Sequence, residues 1–363
     1  KLIGILNNLL INKRFVIERS KVIVEWFFIN HMFDGKVVLI TGGTGSLGTA
    51  LTKKILETNV TTIRIFSRDE WKQVQMESKF NDERLRFFIG DVRDKERLSR
   101  ALENVDIVIH AAALKQMPVA EYNPFEAVKT NIIGTQNLIE SCLDNNVKTV
   151  VAIGTDKAVA PVNTYGASKF LMERLFISAN FYKGNRDIKF LCVRYGNVLG
   201  SRGSIVPVFA NQIKNNKKIT ITDPNMTRFN ITMNEALDLI FRAIKNGNGG
   251  EIFVPKLKAY KVGDMKDAIM GALDKISETE QISIRPGEKI HESLISYDEL
   301  RNTFETEQDY VIIDKQLQNN LKQNLEKAKL EKQYSSDSVE IISKKELVEL
   351  LKKEFFSKEK WTN

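Results

Sequence analysis

From Lys36 onward, hydrophobic positions recur with two different spacings. Val37 to Ile40 and Ile63 to Ser67 are short β-branched runs, and between them Thr49 to Leu56 carries apolar residues at the 3.6-residue spacing of a helix. Near-continuous apolar strands alternating with helices predict βαβ units around a parallel sheet covered on both faces. The same pattern predicts strands at Leu85 to Ile89, Ile107 to His110, Thr149 to Ile153, Phe190 to Tyr195 and Glu251 to Pro255. Pro124 to Asp144 reads as one long helix and Tyr165 to Phe181 as another, each long enough to cover a sheet face. After Tyr195, residues Gly196, Gly200, Gly203, Pro207 and Pro224 interrupt the alternation and predict a smaller, loop-rich region grafted onto the sheet. The expected class is therefore α/β, a doubly wound parallel sheet with a smaller C-terminal region. There is no internal repeat.

Charge refines this picture. The 363 residues hold 54 Lys and Arg against 46 Asp and Glu, a net +8, of which residues 1–31 and residues 315–363 each contribute +3. The body between them is nearly neutral, so the basic balance describes the flanks, and a nucleic-acid groove is not indicated. With 42% hydrophobic residues the chain can bury a large core. Cys142, in a helical pattern, and Cys192, in an apolar run, read as buried thiols in a reducing, cytoplasmic compartment. His31, His110 and His291 are too scattered to make a metal site. The apolar run Val22 to Ile29 is broken by Glu25 and is too short for a membrane span, and no signal-peptide cleavage pattern follows it.

The first candidate chemistry is the run Thr41-Gly42-Gly43-Thr44-Gly45-Ser46-Leu47-Gly48, which follows a strand and opens a helix. Glycines at 42, 45 and 48 permit a tight turn, close backbone approach to a pyrophosphate, and close packing of helix on strand, the needs of a Rossmann-like dinucleotide site. Ser67-Arg68-Asp69-Glu70 ends the second strand, and a guanidinium there can pair with a 2′-phosphate, which argues for NADP over NAD. The alternative is a surface Arg68 paired to Asp69 or Glu70. Asp91 and Val92 can bracket an adenine, and Ala111 to Ala113 leave room for a dinucleotide to lie flat. His110 reads as a packed strand-end residue.

The second is Tyr165-Gly166-Ala167-Ser168-Lys169. Tyr165 and Lys169 are four apart at a helix start and so share a face, where the ammonium and a nearby cationic nicotinamide would depress the phenol pKa. Such a pair alone is most often an ordinary helix-surface pair. Here a strand ending in Thr155-Asp156-Lys157 points into the same cleft.

TGGTGSLG, Asn131 and YGASK together resemble the extended short-chain dehydrogenase/reductase superfamily acting on nucleotide sugars. SRDEWKQ (67–73), FFIGDVRD (87–94), HAAALKQMPVAEYNP (110–124), TDKA (155–158), RYGNVLGSRGSIVP (194–207), MTRF (226–229) and RPGEKIHE (285–292) resemble, more narrowly, the inverting UDP-N-acetylglucosamine 4,6-dehydratases, and among them the flagellin-glycosylation enzymes that begin pseudaminic acid synthesis. The similarity runs from about Met32 to at least Glu292.

The resemblance implies that NADP is held by Gly42, Thr44, Gly45, Ser46, Leu47, Gly48, Ser67, Arg68, Asp69, Glu70, Trp71, Lys72, Asp91, Val92, Ala111 and Lys115, with Tyr165 and Lys169 completing the site. It implies that Lys115, Asn197, Ile205, Thr222, Arg228, Arg285 and Glu288 bind the UDP-sugar, and that Thr155, Asp156 and Lys157 carry the dehydration with Tyr165 and Lys169. The C5 hydrogen of a hexose is not acidic until C4 is a ketone, so oxidation comes first; Lys157, if neutral, then removes the C5 proton while Asp156, if protonated, donates to the departing C6 hydroxyl. Burial is expected to raise the Asp156 pKa, and burial beside Lys169 and the nicotinamide to lower that of Lys157.

Retaining relatives usually have Asp-Glu where this chain has Asp156-Lys157, so Lys157 points to inversion at C5. Some capsule-type relatives have Met at the place of Tyr165, so the Tyr favours the flagellar type. Gln116 stands where a His is common and Gly154 where Ser is usual, and both are expected to border the sugar. The rival readings are a UDP-hexose 4-epimerase, which needs neither Asp156 nor Lys157, and a non-catalytic NADP-sensing protein, which would typically lose Tyr165 or Lys169.

The domains expected are 32–196 for NADP, with the sheet completed by about 230–256; 197–229 and 257–314 for substrate; and 315–363 as a helical tail that packs on the body. The resemblance further implies a homo-oligomer, of which a hexamer is one form. Residues 1–31 are expected outside the fold, as an upstream in-frame translation; the alternative is an amphipathic helix for a membrane surface or a partner.

Overall fold

The computed structural model describes residues 31–320 and 325–356. The expectation about the N-terminal extension falls on residues that, His31 apart, lie outside those described. Strands β1 (Val37–Thr41), β2 (Thr62–Ser67), β3 (Leu85–Ile89), β4 (Ile107–His110), β5 (Thr149–Ile153) and β6 (Lys189–Val193) form the first half of the chain with β9 (Glu251–Pro255) beside them. Short strands β7 (Ile219–Ile221) and β8 (Thr227–Phe229) precede β9 in sequence, and β10 (Ala259–Lys261), β11 (Thr279–Gln281), β12 (Ser293–Ile295), β13 (Thr303–Glu305), β14 (Asp309–Ile313), β15 (Glu326–Lys327) and β16 (Tyr334–Ser335) follow it. The helices are α1 (Ser46–Leu56), α2 (Glu70–Phe80), α3 (Lys95–Leu102), α4 (Met117–Tyr122), α5 (Pro124–Val128), α6 (Gly134–Asp144), α7 (Thr164–Tyr182), α8 (Ile205–Lys214), α9 (Met233–Asn246), α10 (Val262–Leu273) and α11 (Lys344–Glu354).

The main sheet runs β15-β13-β14-β9-β6-β5-β4-β1-β2-β3. From β3 to β9 every pair is parallel. Val38, Leu39, Ile40, Val108, Ile109, Val150 and Val151 are wholly buried, because helices cover both faces. Strand order reverses between β1 and β4, and in open α/β sheets a crevice opens beyond the carboxyl ends of the strands at such a point.

Beyond β9 the sheet continues antiparallel through β14, β13 and β15. Thr303–Glu305 and Asp309–Ile313, which fall in the expected substrate region 257–314, thus extend the main sheet. β14 joins the sheet by pairing with β9, and β13 by pairing with β14. The expected helical tail is also mixed. Tyr334–Ser335 pairs with Ser293–Ile295 before α11 begins. On α11, Ser343 and Glu346 form a reciprocal cap, and Leu347 and Leu351, one turn apart, are fully buried against Met265 and Ile269 of α10.

The long helix expected over Pro124 to Asp144 is continuous but contains a π turn at Lys129–Ile133. Asn131 sits in it, accepting from the Leu114 N–H at 2.8 Å and donating to the Leu114 carbonyl at 3.0 Å and to Ser168 Oγ at 2.9 Å. A widened turn is a frequent device for directing a side chain toward a site. Among the described residues no helix is long and apolar enough to cross a membrane.

Candidate active site

A cleft of about 1020 Å³ opens at the strand-order reversal, lined on one side by the glycine turn and on the other by residues from α8, β7 and the 285–288 loop. Gly42 has φ +65°, and a Cβ there would lie 2.9 Å from the Ala112 backbone; one on Gly48 would lie 2.3 Å from the Gly43 carbonyl. Only glycines permit this turn to lie so close to the end of β4 and α1 to pack on it. No side chain caps the N-terminus of α1, which leaves its first amide groups for an anion. The cradle thus fits a dinucleotide pyrophosphate. His110 is sealed behind it, hydrogen-bonded to Thr41 Oγ1 at 2.7 Å, and burial with the Lys169 charge lowers its pKa to about 3, so it stays neutral.

At the end of β2, Arg68 is half-exposed and 3.6 Å from Asp91, not paired to Asp69 or Glu70. Asp69 instead caps α2 through the Lys72 N–H and pairs with the Lys72 ammonium. Asp91 is held by Arg93 through two guanidinium bonds of 2.9 and 2.7 Å; burial raises its pKa, but Arg93 outweighs that and the net shift is downward. Ser67, Arg68, Asp69, Lys72, Asp91, Val92, Ala111 and Lys115 all line the cleft. Glu70 and Trp71 do not; Trp71 is 68% exposed on α2.

One corner of the cleft is built where the turn after β5 meets the start of α7. Tyr165, Lys169, Thr155 and Lys157 line the cleft together. Asp156 stands behind them, 1% exposed, accepting from Thr155 Oγ1 at 2.9 Å and from Lys157 Nζ at 3.0 Å, while its Oδ2 is buried without a partner. Asn163 fixes the start of α7 by accepting from the Gly166 N–H at 2.7 Å.

In the protein alone, two shifts run opposite to those expected beside a bound nicotinamide. Burial does pull Lys157 down, but Asp156 and Glu292, the latter at 3.4 Å, outweigh it and hold the ammonium pKa above its ordinary value. Burial pushes Tyr165 up to about 12; the cation that opposes this most is Lys157, assisted by the Thr155 hydroxyl, rather than Lys169. Lys169 is itself lowered to about 8 by burial, against the pull of Glu173, and its ammonium contacts Met172 Sδ at 3.0 Å.

Asn197, Ile205, Thr222, Arg228, Arg285 and Glu288, the residues expected to bind the sugar nucleotide, border the same cleft. Arg228 is mostly committed to the backbone, donating to the carbonyls of Thr227, Lys289 and Ile290. Gly154 and Gln116 border the cleft as well. Two residues went without a role in the sequence reading although they stand in the quoted motifs. Arg202 reaches across the cleft to the Thr44 carbonyl at 2.7 Å, and Glu292 completes the surroundings of Lys157. Their signal is chemical type alone; proximity appears only in three dimensions.

This sheet, with its glycine turn at the order reversal and Tyr165 and Lys169 on one helix face, is the Rossmann-like fold of the short-chain dehydrogenase/reductases. The chain belongs to the polysaccharide biosynthesis protein family, which matches residues 38–314. It is 47% identical over 333 residues to the UDP-N-acetylglucosamine 4,6-dehydratase (inverting) of Campylobacter jejuni, covering 88% of this chain and 98% of that one. It is 43% identical over 273 residues to the UDP-glucose 4-epimerase of Rickettsia rickettsii, covering 74% and 80%. Among solved structures, Pen from Bacillus thuringiensis superposes with a TM-score of 0.83 at 40% identity, covering 89% of this chain and all of that one.

Proposed function

We propose that the protein dehydrates UDP-N-acetylglucosamine across C4 to C6 with inversion at C5, giving a 4-keto-6-deoxy L-sugar nucleotide, with NADP as the resident cofactor. The observation that carries the reading is the buried Thr155-Asp156-Lys157 turn, whose ammonium faces the cleft beside Tyr165. An epimerase has no use for an acid–base pair beside its tyrosine.

The glycine turn and the uncapped α1 N-terminus would hold the pyrophosphate, Asp91 the adenine, and Arg68 a 2′-phosphate. When bound, the nicotinamide would supply the hydride acceptor and donor that oxidation at C4 and reduction at C6 require. Tyr165 takes the C4 hydroxyl proton, Lys157 removes the C5 proton that the ketone has made acidic, and Asp156 supplies the proton with which the C6 oxygen leaves as water. Lys157 then has to be neutral at the moment of C5–H cleavage, although its surroundings favour the ammonium. Arg285 and Glu288 at the cleft rim are suited to the UDP moiety.

The wider reading is a cytoplasmic homo-oligomer, possible as a hexamer, that feeds pseudaminic acid or a related surface glycan. The free buried thiols Cys142 and Cys192 accord with a reducing compartment, and the exposed Tyr122, Phe125 and Tyr182 with an oligomer. NMR of the reaction with UDP-N-acetylglucosamine in deuterated water tests the central claim: a 4-keto-6-deoxy product with deuterium at C5 is expected, and UDP-N-acetylgalactosamine without solvent label would replace the reading with epimerisation.

A further inference from the structure

Resting on the dehydratase reading is a question it leaves open: where the surplus proton on Lys157 goes. Lys157 Nζ lies between two buried carboxylates, 3.0 Å from Asp156 Oδ1 and 3.4 Å from Glu292 Oε1. One ammonium cannot neutralise both. Each carboxylate also keeps one sealed oxygen, Asp156 Oδ2 and Glu292 Oε2, with no hydrogen-bond partner. A buried carboxylate oxygen without a donor is costly when charged, and a proton on the group relieves that cost.

The two acids are not equivalent. Asp156 follows Thr155 directly, and both of its contacts, with the Thr155 hydroxyl and with Lys157, are on Oδ1. Glu292 comes from a remote part of the chain and is clamped by the C-terminal segment. Its N–H donates to Ser336 Oγ at 3.0 Å, and the Ser336 N–H donates back to the Glu292 carbonyl at 2.8 Å. Ser336 is fully buried and bonded in turn to Thr227. So firm a hold on a side chain 3% exposed, which forms an ion pair with Lys157, needs a reason beyond surface packing.

We propose that Glu292 is the acceptor for the proton that Lys157 must shed before it can act as the base, a positioning residue that acts through Lys157. In this step the Nζ–H bond breaks with its electron pair left on nitrogen, an O–H bond forms on Glu292, and nothing is oxidised or reduced. Asp156 then gives its own proton to the departing C6 oxygen, and Lys157 becomes an ammonium again by taking the C5 proton. The proton on Glu292 passes through Lys157 to the Asp156 carboxylate, which restores the starting state while C5 takes its new proton from solvent on the opposite face. Burial pushes the Glu292 carboxyl upward and the Lys157 ammonium opposes it, with a net shift toward the protonated form. The charged groups facing Glu292 are Lys157, Asp156, Arg228 and Lys289. Of these, Arg228 and Lys289 are tied to backbone carbonyls, which leaves Lys157 as the partner placed to exchange a proton.

The test is Glu292→Gln in the full chain, which keeps size and hydrogen bonding but cannot take the proton. Reduced-nicotinamide absorbance in a single turnover reads C4 oxidation, and C5 deuterium with product NMR reads dehydration. C4 oxidation is expected within a few-fold of wild type, while dehydration falls about a hundredfold or more. The remaining dehydration should rise about tenfold per pH unit on the alkaline side, since Lys157 must now lose its proton to solvent, whereas Glu292→Asp should restore the wild-type profile at a lower rate. A wild-type rate and profile for Glu292→Gln, or equal loss of both half-reactions, would overturn the proposal. Should Glu292→Gln not fold, the Glu292→Asp profile decides, and an alkaline rise there would overturn it as well. If wild type itself fails to dehydrate the sugar, it is the parent reading that falls.

Discussion

Two buried clusters in this molecule share a composition, one cation between two carboxylates, and differ in how completely they are satisfied. Around Arg194, Glu173 and Glu299 receive guanidinium bonds on all four oxygens, at 2.7 to 3.2 Å, and the remaining donor capacity goes to the Leu294 carbonyl. Around Lys157, both Asp156 and Glu292 retain an unpartnered oxygen. The planar fork of Arg matches carboxylates two at a time and does not give up its proton, whereas a lysine ammonium is a point donor that can. The saturated cluster pins β6 to α7 and to the 294–299 segment. The unsaturated one faces the cleft, and its leftover hydrogen-bonding capacity marks it as the place where protons move.

The sharpest way to break this contrast is to remove each cation in turn. Lys157→Met should cut dehydration by on the order of 10³ to 10⁴, about 4–5.5 kcal/mol of barrier, read by NMR of the product, with cofactor reduction much less affected. Arg194→Met should leave two uncompensated carboxylates and cost about 3–5 kcal/mol of stability, read by denaturant unfolding, with turnover per folded molecule retained. Full stability with lost turnover in that variant would erase the distinction between the clusters.

Lys169 lies between the two and tests the electrostatics of both. Its pKa in the folded protein is about 8, below the ordinary 10.5. Between these values the unfolded chain binds more protons, so stability should rise as pH climbs from about 8 to about 10.5, by on the order of 3 kcal/mol. Below pH 8 the burial penalty is present in full. Comparing denaturant unfolding of wild type and Lys169→Met across this window isolates the term, since the variant should lack the rise. The smallest effect concerns Gly154, which precedes Thr155. A Cβ there would lie 2.4 Å from Glu173 Oε1 and 2.7 Å from the Val193 carbonyl. Gly154→Ser, which restores the residue common among the enzymes it resembles, should cost about 1–3 kcal/mol, seen as a lowered Tm.

The sequence was most legible where local pattern and tertiary role coincide. Leu85–Ile89, Ile107–His110, Thr149–Ile153 and Glu251–Pro255 form strands at the expected bounds, because short runs rich in β-branched and aromatic residues between polar turns favour strands. The strand expected to reach Tyr195 ends at Val193, since Arg194 turns its side chain into the buried ion cluster. The π turn at Asn131 was illegible because its cause, the double bond to Leu114, lies outside the helix. Strands β13 and β14 were missed because antiparallel partners distant in sequence, β9 and β15 among them, place them in the sheet. At the site, residue types were readable and charge states were not. The expected neutral Lys157 rested on burial beside Lys169 and a bound nicotinamide; in the protein alone burial is outweighed by Asp156, its sequence neighbour, and by Glu292, which no local pattern ties to the turn after β5.

The clamp between Ser336 and Glu292 also bears on the order of events at the ribosome. Every strand from β1 to β9 is synthesised before either partner of that clamp, so a nascent chain can fold its glycine cradle while the wall behind Lys157 is still unfastened. The corner around Lys157 is thus closed by a segment made after all of β1 to β9, so the cradle can form before the wall that holds Glu292.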